Sequence, residues 1–266
     1  MTQVPFHKPG RGVNAYYLGL ELKRQVMSPL TLFVCMLLPV LFYFMFGVLP
    51  GMDQNVGRGN VNAVLMFLLA LYGASMTAAM SAITVSFERP LGWNRQLHLT
   101  PLRPWAYLAT KVINALLGSV VSMALLFIVA KLFGRAQMES WLWIAGFGVG
   151  LVCGITWGAL GLLIGSLVKG ETATGILVPT LLMCCFLSGV FAVPLSDGFF
   201  TTMQKIVPLG GAVNLICALF GPSAQVSSGI GGLAIGDWRI WSNIAGWLLV
   251  LMIGAALAYR RDTKRQ

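Results

Sequence analysis

Charge is what this sequence has least of. Only 10% of its 266 residues are Asp, Glu, Lys or Arg, where a soluble domain carries roughly 25%. No ionisable residue stands in the middle of a long apolar run, so the groups by which proton- and sodium-coupled carriers commonly work are missing. Nor is there an HExxH stretch, a paired-carboxylate motif or a nucleophile with a base and an acid, which removes the basis for intramembrane enzyme chemistry. The five cysteines, Cys35, Cys153, Cys184, Cys185 and Cys217, sit in apolar surroundings without a CxxC pair or a nearby histidine. That spacing suits neither zinc nor a disulfide framework, and they read as small core residues. The two histidines, His7 and His98, are flanked by loop residues and read as solvated. Residues 165–172, GSLVKGET, lack the order of a phosphate-binding loop and the strand before it, so no ATP site is expected on this chain. The first thirty residues lack the short apolar core and small-residue cleavage site of a secretory leader.

What the chain has is apolar length. It is 57% hydrophobic, with a mean hydropathy of +0.80. Six runs are long enough for a helix to cross a hydrocarbon core: residues 30–49, 61–85, 106–133, 141–168, 172–193 and 240–259. Pro39 and Pro179 should bend the first and fifth of them. Lys111 is expected to snorkel from the first turn of the third, and Trp141 and Trp143 mark an interfacial belt on the fourth. Ahead of the spans, residues 13–27 read either as a helix lying on the membrane or as a soluble turn. In the helical reading Tyr16, Tyr17, Leu18, Leu20, Leu22 and Val26 form the apolar side, and Glu21, Lys23 and Arg24 the charged side.

The cations decide orientation. With the N-terminus inside, the inner segments hold Lys8, Arg11, Lys23, Arg24, Arg89, Arg95, Arg103, Lys111, Lys169, Arg260, Arg261, Lys264 and Arg265. The outer ones hold Arg58, Lys131, Arg135, Lys205 and Arg239. Thirteen against five, out of eighteen, places both termini in the cytoplasm. The net charge of +10 thus reflects topology, and its cations form no aromatic-interleaved stripe that would suit nucleic acid.

Three stretches depart from plain spans. Residues 86–111, SFERPLGWNRQLHLTPLRPWAYLATK, are the longest polar interruption, basic and broken by Pro90, Gly92, Pro101 and Pro104. They suit either a solvated loop that sets topology or a docking handle on the cytoplasmic face. In the handle, residues 92–100 have room for about two helical turns, and Glu88 and Arg89 are placed to pair at the end of the bundle. Residues 194–239 are moderately apolar but broken by glycine and proline. Their apolar piece, 212–220, is too short to cross and reads as re-entrant or interfacial. The fourth span carries Gly146, Gly150, Gly154 and Gly158 at four-residue spacing, then Gly161 and Gly165, a ridge for close helix packing within one subunit or across a dimer. Weakly polar residues, Tyr72, Ser75 and Met76 on the second span and Thr180, Met183 and Ser188 on the fifth, suit an amphipathic or apolar cargo path, though each also suits helix packing.

Three blocks in order resemble the ABC-2 type transporter permease family: ELKRQVMSPLTLFVCMLLPVLFYFMFG, then SFERPLGWNRQLHLTPLRPWAYLATKVI, then FLSGVFAVPLSDGFFTTMQKIVPLGGAVNLI. The middle block carries the family pattern through Glu88, Arg89, Gly92, Leu97, Pro101 and Leu102. The last carries it through Leu187, Ser188 and Gly189, with Pro194 one residue late. The resemblance implies an all-α polytopic membrane protein with a single domain over residues 1–266. It would have an N-terminal amphipathic connecting helix within residues 1–29, six spans, a coupling helix in the loop 86–105 and an outer re-entrant segment at 194–239. Glu88, Arg89, Gly92, Arg95, Leu97 and Pro101 would then couple the permease to a separate cytoplasmic ABC ATPase, where ATP and magnesium bind. The chain itself would be non-catalytic and without a cofactor. It would work with a second permease copy or homologue in a bacterial plasma membrane, exporting a drug, antibiotic or lipid-like molecule. A passive channel, a secondary transporter and a non-transporting sensor or assembly subunit are the other classes its composition permits.

Overall fold

The computed structural model describes residues 15–29, 31–88, 104–191, 198–224 and 233–263, and every regular element among them is a helix. Helix α1 is Ala15–Val26. A π-helical stretch, Thr31–Leu37, runs directly into α2, Leu38–Gly47. Helix α3, Val61–Ala82, is followed after a tight turn by the single turn of α4, Val85–Glu88. Then come α5, Pro104–Phe133; α6, Ser140–Leu167; α7, Glu171–Ser188; α8, Gly198–Ile206; α9, Gly210–Phe220; and α10, Trp238–Thr263.

Among the described residues, five helices are long and apolar enough to cross a membrane: α3 with α4, α5, α6, α7 and α10. The first predicted span is shorter than these, 17 residues from Thr31 to Gly47, or about 25 Å at helical rise. The predicted run 172–193 is helical only as far as Ser188, because Gly189 turns left-handed (φ +83°) and caps the helix. The all-α class that the resemblance implies holds among the described residues. The six-span count is left at five long helices and one short one.

Helix α3 is the hub, with 94% of its apolar window buried inside the chain. It is apolar or small all round, as a helix without a solvated face must be, and it packs mainly on α5 and α6. The glycine ridge of α6 makes that contact close. Gly146 lies against the Phe67 ring, Gly150 against the Met123 sulfur, Gly154 against the Ser119 hydroxyl and Gly161 against the backbone of Ala79. The ridge is therefore filled within one chain. Helix α10 is peripheral, with 17% of its window buried, and leans chiefly on α6.

Pro39 does not merely bend its span. It falls where the π-helical turns give way to α2, and lacking an N–H it leaves the carbonyls four and five residues before it without their usual donor. Those carbonyls, Cys35 O and Val34 O, are met instead by the hydroxyls of Ser122 (3.0 Å) and Tyr72 (3.3 Å). The break is thus held by side chains from α5 and α3.

At the end of the bundle that carries Arg58, the loop before α3 is sewn to three neighbours. Arg58 N donates to Phe220 O (3.0 Å), Glu139 N to Arg58 O (3.2 Å) and Asn60 N to Gln137 O (2.9 Å). The Asn60 side chain caps α3 at Ala63 N and donates to Arg135 O, while the Arg135 guanidinium donates to Gly47 O.

Helices α8 and α9 are too short to cross. Their junction depends on Asn243 of α10, whose amide nitrogen faces the carbonyl oxygens of Lys205 (2.8 Å), Ile206 and Val207 and whose oxygen accepts from Gly211 N (3.1 Å). One side chain serves the last carbonyls of α8 and an early N–H of α9, groups that a helix break leaves unsatisfied. Asn243→Ala should therefore cost about 1–3 kcal/mol and open the 205–211 junction. Limited proteolysis of the purified protein should find new cleavage there, and an unchanged digest would deny Asn243 this role.

Candidate functional site

The most buried charge among the described residues is at the opposite end of the bundle. Lys111 lies in the second turn of α5 and is wholly inaccessible. Its ammonium has three protons to place. One acceptor is the Glu88 carboxylate at the end of α4 (2.6 Å), another the Thr84 hydroxyl in the turn before it (2.9 Å), and a third the Glu21 carboxylate of α1. Both glutamates are themselves buried. Charge-assisted bonds of this kind are about twice as strong as neutral ones, and a buried ion is tolerated only with such partners.

Below this cluster a polar ladder continues between α1, α3 and α5. Gln25, one helical turn beyond Glu21, donates to Thr77 O (3.0 Å) and accepts from Asn114 Nδ2 (3.0 Å), which also reaches the Ser81 hydroxyl. A cleft of about 250 Å³ opens beside it, lined among others by Arg24, Gln25, Ser28, Thr31, Asn114 and Thr174. Two readings of the sequence are corrected here. Glu21 does not share a solvated face with Lys23 and Arg24: those two are exposed, whereas Glu21 and Gln25 turn inward and Leu20 is half exposed. Lys111 does not snorkel either, because two carboxylates and a hydroxyl meet it inside the bundle.

The cluster brackets the polar loop. Glu88 is the last described residue before it, and α5 starts at Pro104 just after it. Helix α4 is also tied sideways, since Gly170 N donates to Ser86 O (3.2 Å) in the turn leading into α7. A displacement of α4 therefore reaches α1 and α5 through Lys111 and α7 through Gly170. Of the six residues expected to couple this loop to a partner, Glu88 belongs to the cluster; Arg89, Gly92, Arg95, Leu97 and Pro101 lie outside the described residues. Glu88 takes Lys111 as a partner, a pairing across 23 positions that the sequence reading missed. The signal was a lone lysine inside an apolar helix, with Glu21 and Gln25 spaced one turn apart.

The six residues weighed as a cargo path separate into two groups. Tyr72, Ser75, Met76 and Ser188 are buried, Tyr72 bonded to Val34 O and Ser188 to Cys185 O (3.1 Å). Thr180 and Met183 lie on the exposed face of α7. Four of the five free cysteines are buried, as their apolar neighbours suggested.

Residues 52–260 match the family described as ABC-2 family transporter protein. The chain belongs to that family. It is also similar to the "Putative transport permease YvfS" of Bacillus subtilis (strain 168), at 25% identity over 237 residues, covering 88% of this chain and 90% of the relative. The ABC-2 match begins ahead of α3 and runs into the last turns of α10, so it includes Glu88, Lys111 and the intervening loop, while Glu21 precedes it. Membership makes this permease a multi-pass membrane protein and a transmembrane component of an ABC transporter, a system that includes an ATP-binding partner subunit.

Proposed function

We propose that this permease is the membrane half of an ATP-driven exporter. Two copies, or one copy and a homologue, would form the path, and a separate cytoplasmic ATPase would dock on residues 86–105 and supply ATP and magnesium. On this reading the Glu88 end faces the bacterial cytoplasm with both termini, the short Thr31–Gly47 helix is the first of six spans, and α8 and α9 form an outer re-entrant pair. Arg89, Gly92, Arg95, Leu97 and Pro101 make the docking element beside Glu88. The observation that carries it is the buried Lys111, which joins the root of the docking loop to α1 and α5. A loop that only set topology would need no such anchor.

The cargo is amphipathic or hydrophobic, a drug, antibiotic or lipid-like molecule. Thr180 and Met183 face the path from α7, with Tyr72, Ser75, Met76 and Ser188 in the layer behind them.

Glu88→Ala tests the coupling. Lys111 keeps Glu21 in that variant, so the permease should still insert and dimerise. In proteoliposomes holding the permease with its ATPase, permease-dependent stimulation of ATP hydrolysis should fall to the level of the ATPase alone. Full stimulation would make the loop a topological element only, and failure of any ATPase to copurify with the wild-type chain would sink the exporter reading.

A further inference from the structure

Helix α10 leaves most of its surface outside the chain, and a groove of about 470 Å³ is cut into that side, against the end of α8. Lys205, Trp238 and Arg239 line one part of it, and Gly246, Trp247 and Val250 another. The two parts sit at different depths. The apolar window Trp238–Ala258 is 21 residues long, about 31 Å at helical rise, which matches a hydrocarbon core of roughly 30 Å. Trp238 and Arg239 therefore stand at the membrane boundary, where exposed indoles collect, and Val250 lies about 18 Å deeper. The groove has a cationic mouth and an apolar floor.

Lys205 is the residue that asks for a ligand. Its carbonyl oxygen accepts from Asn243 (2.8 Å), five positions below Trp238, or about 8 Å inside the boundary. Ionisable side chains at membrane depth ordinarily face the bundle interior or pair with one another. Lys205 is exposed and makes no ion pair among the described residues, and the same holds for Arg239. The carboxylate of Asp237 does not line the groove and accepts from the main-chain nitrogen of Arg239 (2.9 Å). Among the described residues, then, two cations share one mouth with no acid in its lining.

The floor decides which anion fits. A small soluble ion would leave Gly246, Trp247 and Val250 unused. Gly246 is bare, since a Cβ built on it meets nothing within 4 Å, so the helix surface there is open to an acyl chain. A second copy meeting this face about a two-fold axis would set the four cations against one another. A zwitterionic head would bring its own cation to Lys205 and Arg239. We propose that this groove binds one anionic phospholipid of the surrounding bilayer, its phosphate at Lys205 and Arg239 and an acyl chain along Gly246 and Val250. Basic pockets between transmembrane helices hold anionic headgroups in the same way. The site depends neither on the exporter reading nor on which end of the bundle faces the cytoplasm.

The probes are phosphatidylglycerol and phosphatidylcholine, each with a diazirine in one acyl chain, added in trace amounts to phosphatidylcholine nanodiscs that hold the purified permease. After photolysis, peptide mass spectrometry compares labelling of residues 246–250 with labelling of α7, whose exposed Ile176 and Met183 provide an internal reference. In the wild type the preference for phosphatidylglycerol at 246–250 should exceed that on α7 about thirtyfold, the effect of two cations near the headgroup. In the double variant Lys205→Gln, Arg239→Gln the two preferences should agree within about twofold. Gly246→Leu, which covers the floor and replaces a poor helix former with a good one, should abolish the preference with both cations in place. Both variants should keep the elution profile of the wild type, since all three positions are exposed. Equal preferences on α10 and α7 in the wild type, or a preference that survives either variant, would overturn the proposal. Displacement of the phosphatidylglycerol probe by inorganic phosphate at constant ionic strength would overturn it too, leaving a plain anion site.

Discussion

Lys111→Met should yield almost no folded permease. The substitution leaves Glu21 and Glu88 buried and facing each other with the shared cation gone. Removing one member of a buried ion pair typically costs about 3–5 kcal/mol, and here a single deletion affects two carboxylates. That is a large part of the roughly 5–15 kcal/mol by which folded proteins exceed their unfolded chains. Monodisperse protein recovered by size-exclusion chromatography should drop severalfold. The triple variant Lys111→Met, Glu21→Gln, Glu88→Gln should recover most of it, since removing all three charges at once avoids stranding any. Wild-type yield from the single variant would mean that the cluster contributes nothing to the fold, and the anchoring role given to it would go as well.

Gly161→Ala is expected to destabilise as well, for a steric reason. The added Cβ would stand 2.3 Å from the carbonyl oxygen of Ala79 and 3.0 Å from its carbonyl carbon. Both are backbone atoms of the buried α3 and cannot swing aside, so the helices must separate. Overpacking of this kind costs typically 1–3 kcal/mol and occasionally more. Gly158→Ala, one turn earlier on the same ridge, is the control: its Cβ would meet the Ala115 Cβ at 3.4 Å, an ordinary contact. The helix gains roughly 1 kcal/mol whenever alanine replaces glycine, so Gly158→Ala should hold or raise the thermal midpoint in detergent while Gly161→Ala lowers it by several degrees. Equal midpoints would mean that the α3–α6 contact is looser than its geometry implies.

How much of this was legible follows from what a periodicity can encode. Long apolar runs announce their helices, so α3, α5, α6, α7 and α10 fall on predicted spans, and the glycine spacing announced a close contact without naming its partner. Proline at 39 announced a disturbance, but not that Ser122 and Tyr72 would meet the carbonyls it leaves. Glu21 was misassigned because helical spacing records which residues share a face, not whether that face meets water or a buried cation. Lys111 reads as a snorkelling charge for the same reason: its partners are 90 and 23 positions away. Distances of that kind are set by tertiary packing and leave no local trace. Asn243, which closes the α8–α9 junction from 32 positions away, is a third example.

The stitched loops at the Arg58 end turn the bundle into a lever with an uneven grip. There, main-chain bonds lock the loop before α3 to α9 and to the link between α5 and α6, so that end serves as the fulcrum. At the other end the grip is the Lys111 side chain with one main-chain bond, Gly170 N to Ser86 O, and the Lys111 bonds can stretch and re-form without breaking any helix. Helix α3, 22 residues long, gives an arm of about 33 Å, and a tilt of about 5° about the fulcrum moves its far end by about 3 Å. Amplitude is therefore smallest among the sewn loops and largest beside Glu88, at the start of the polar loop.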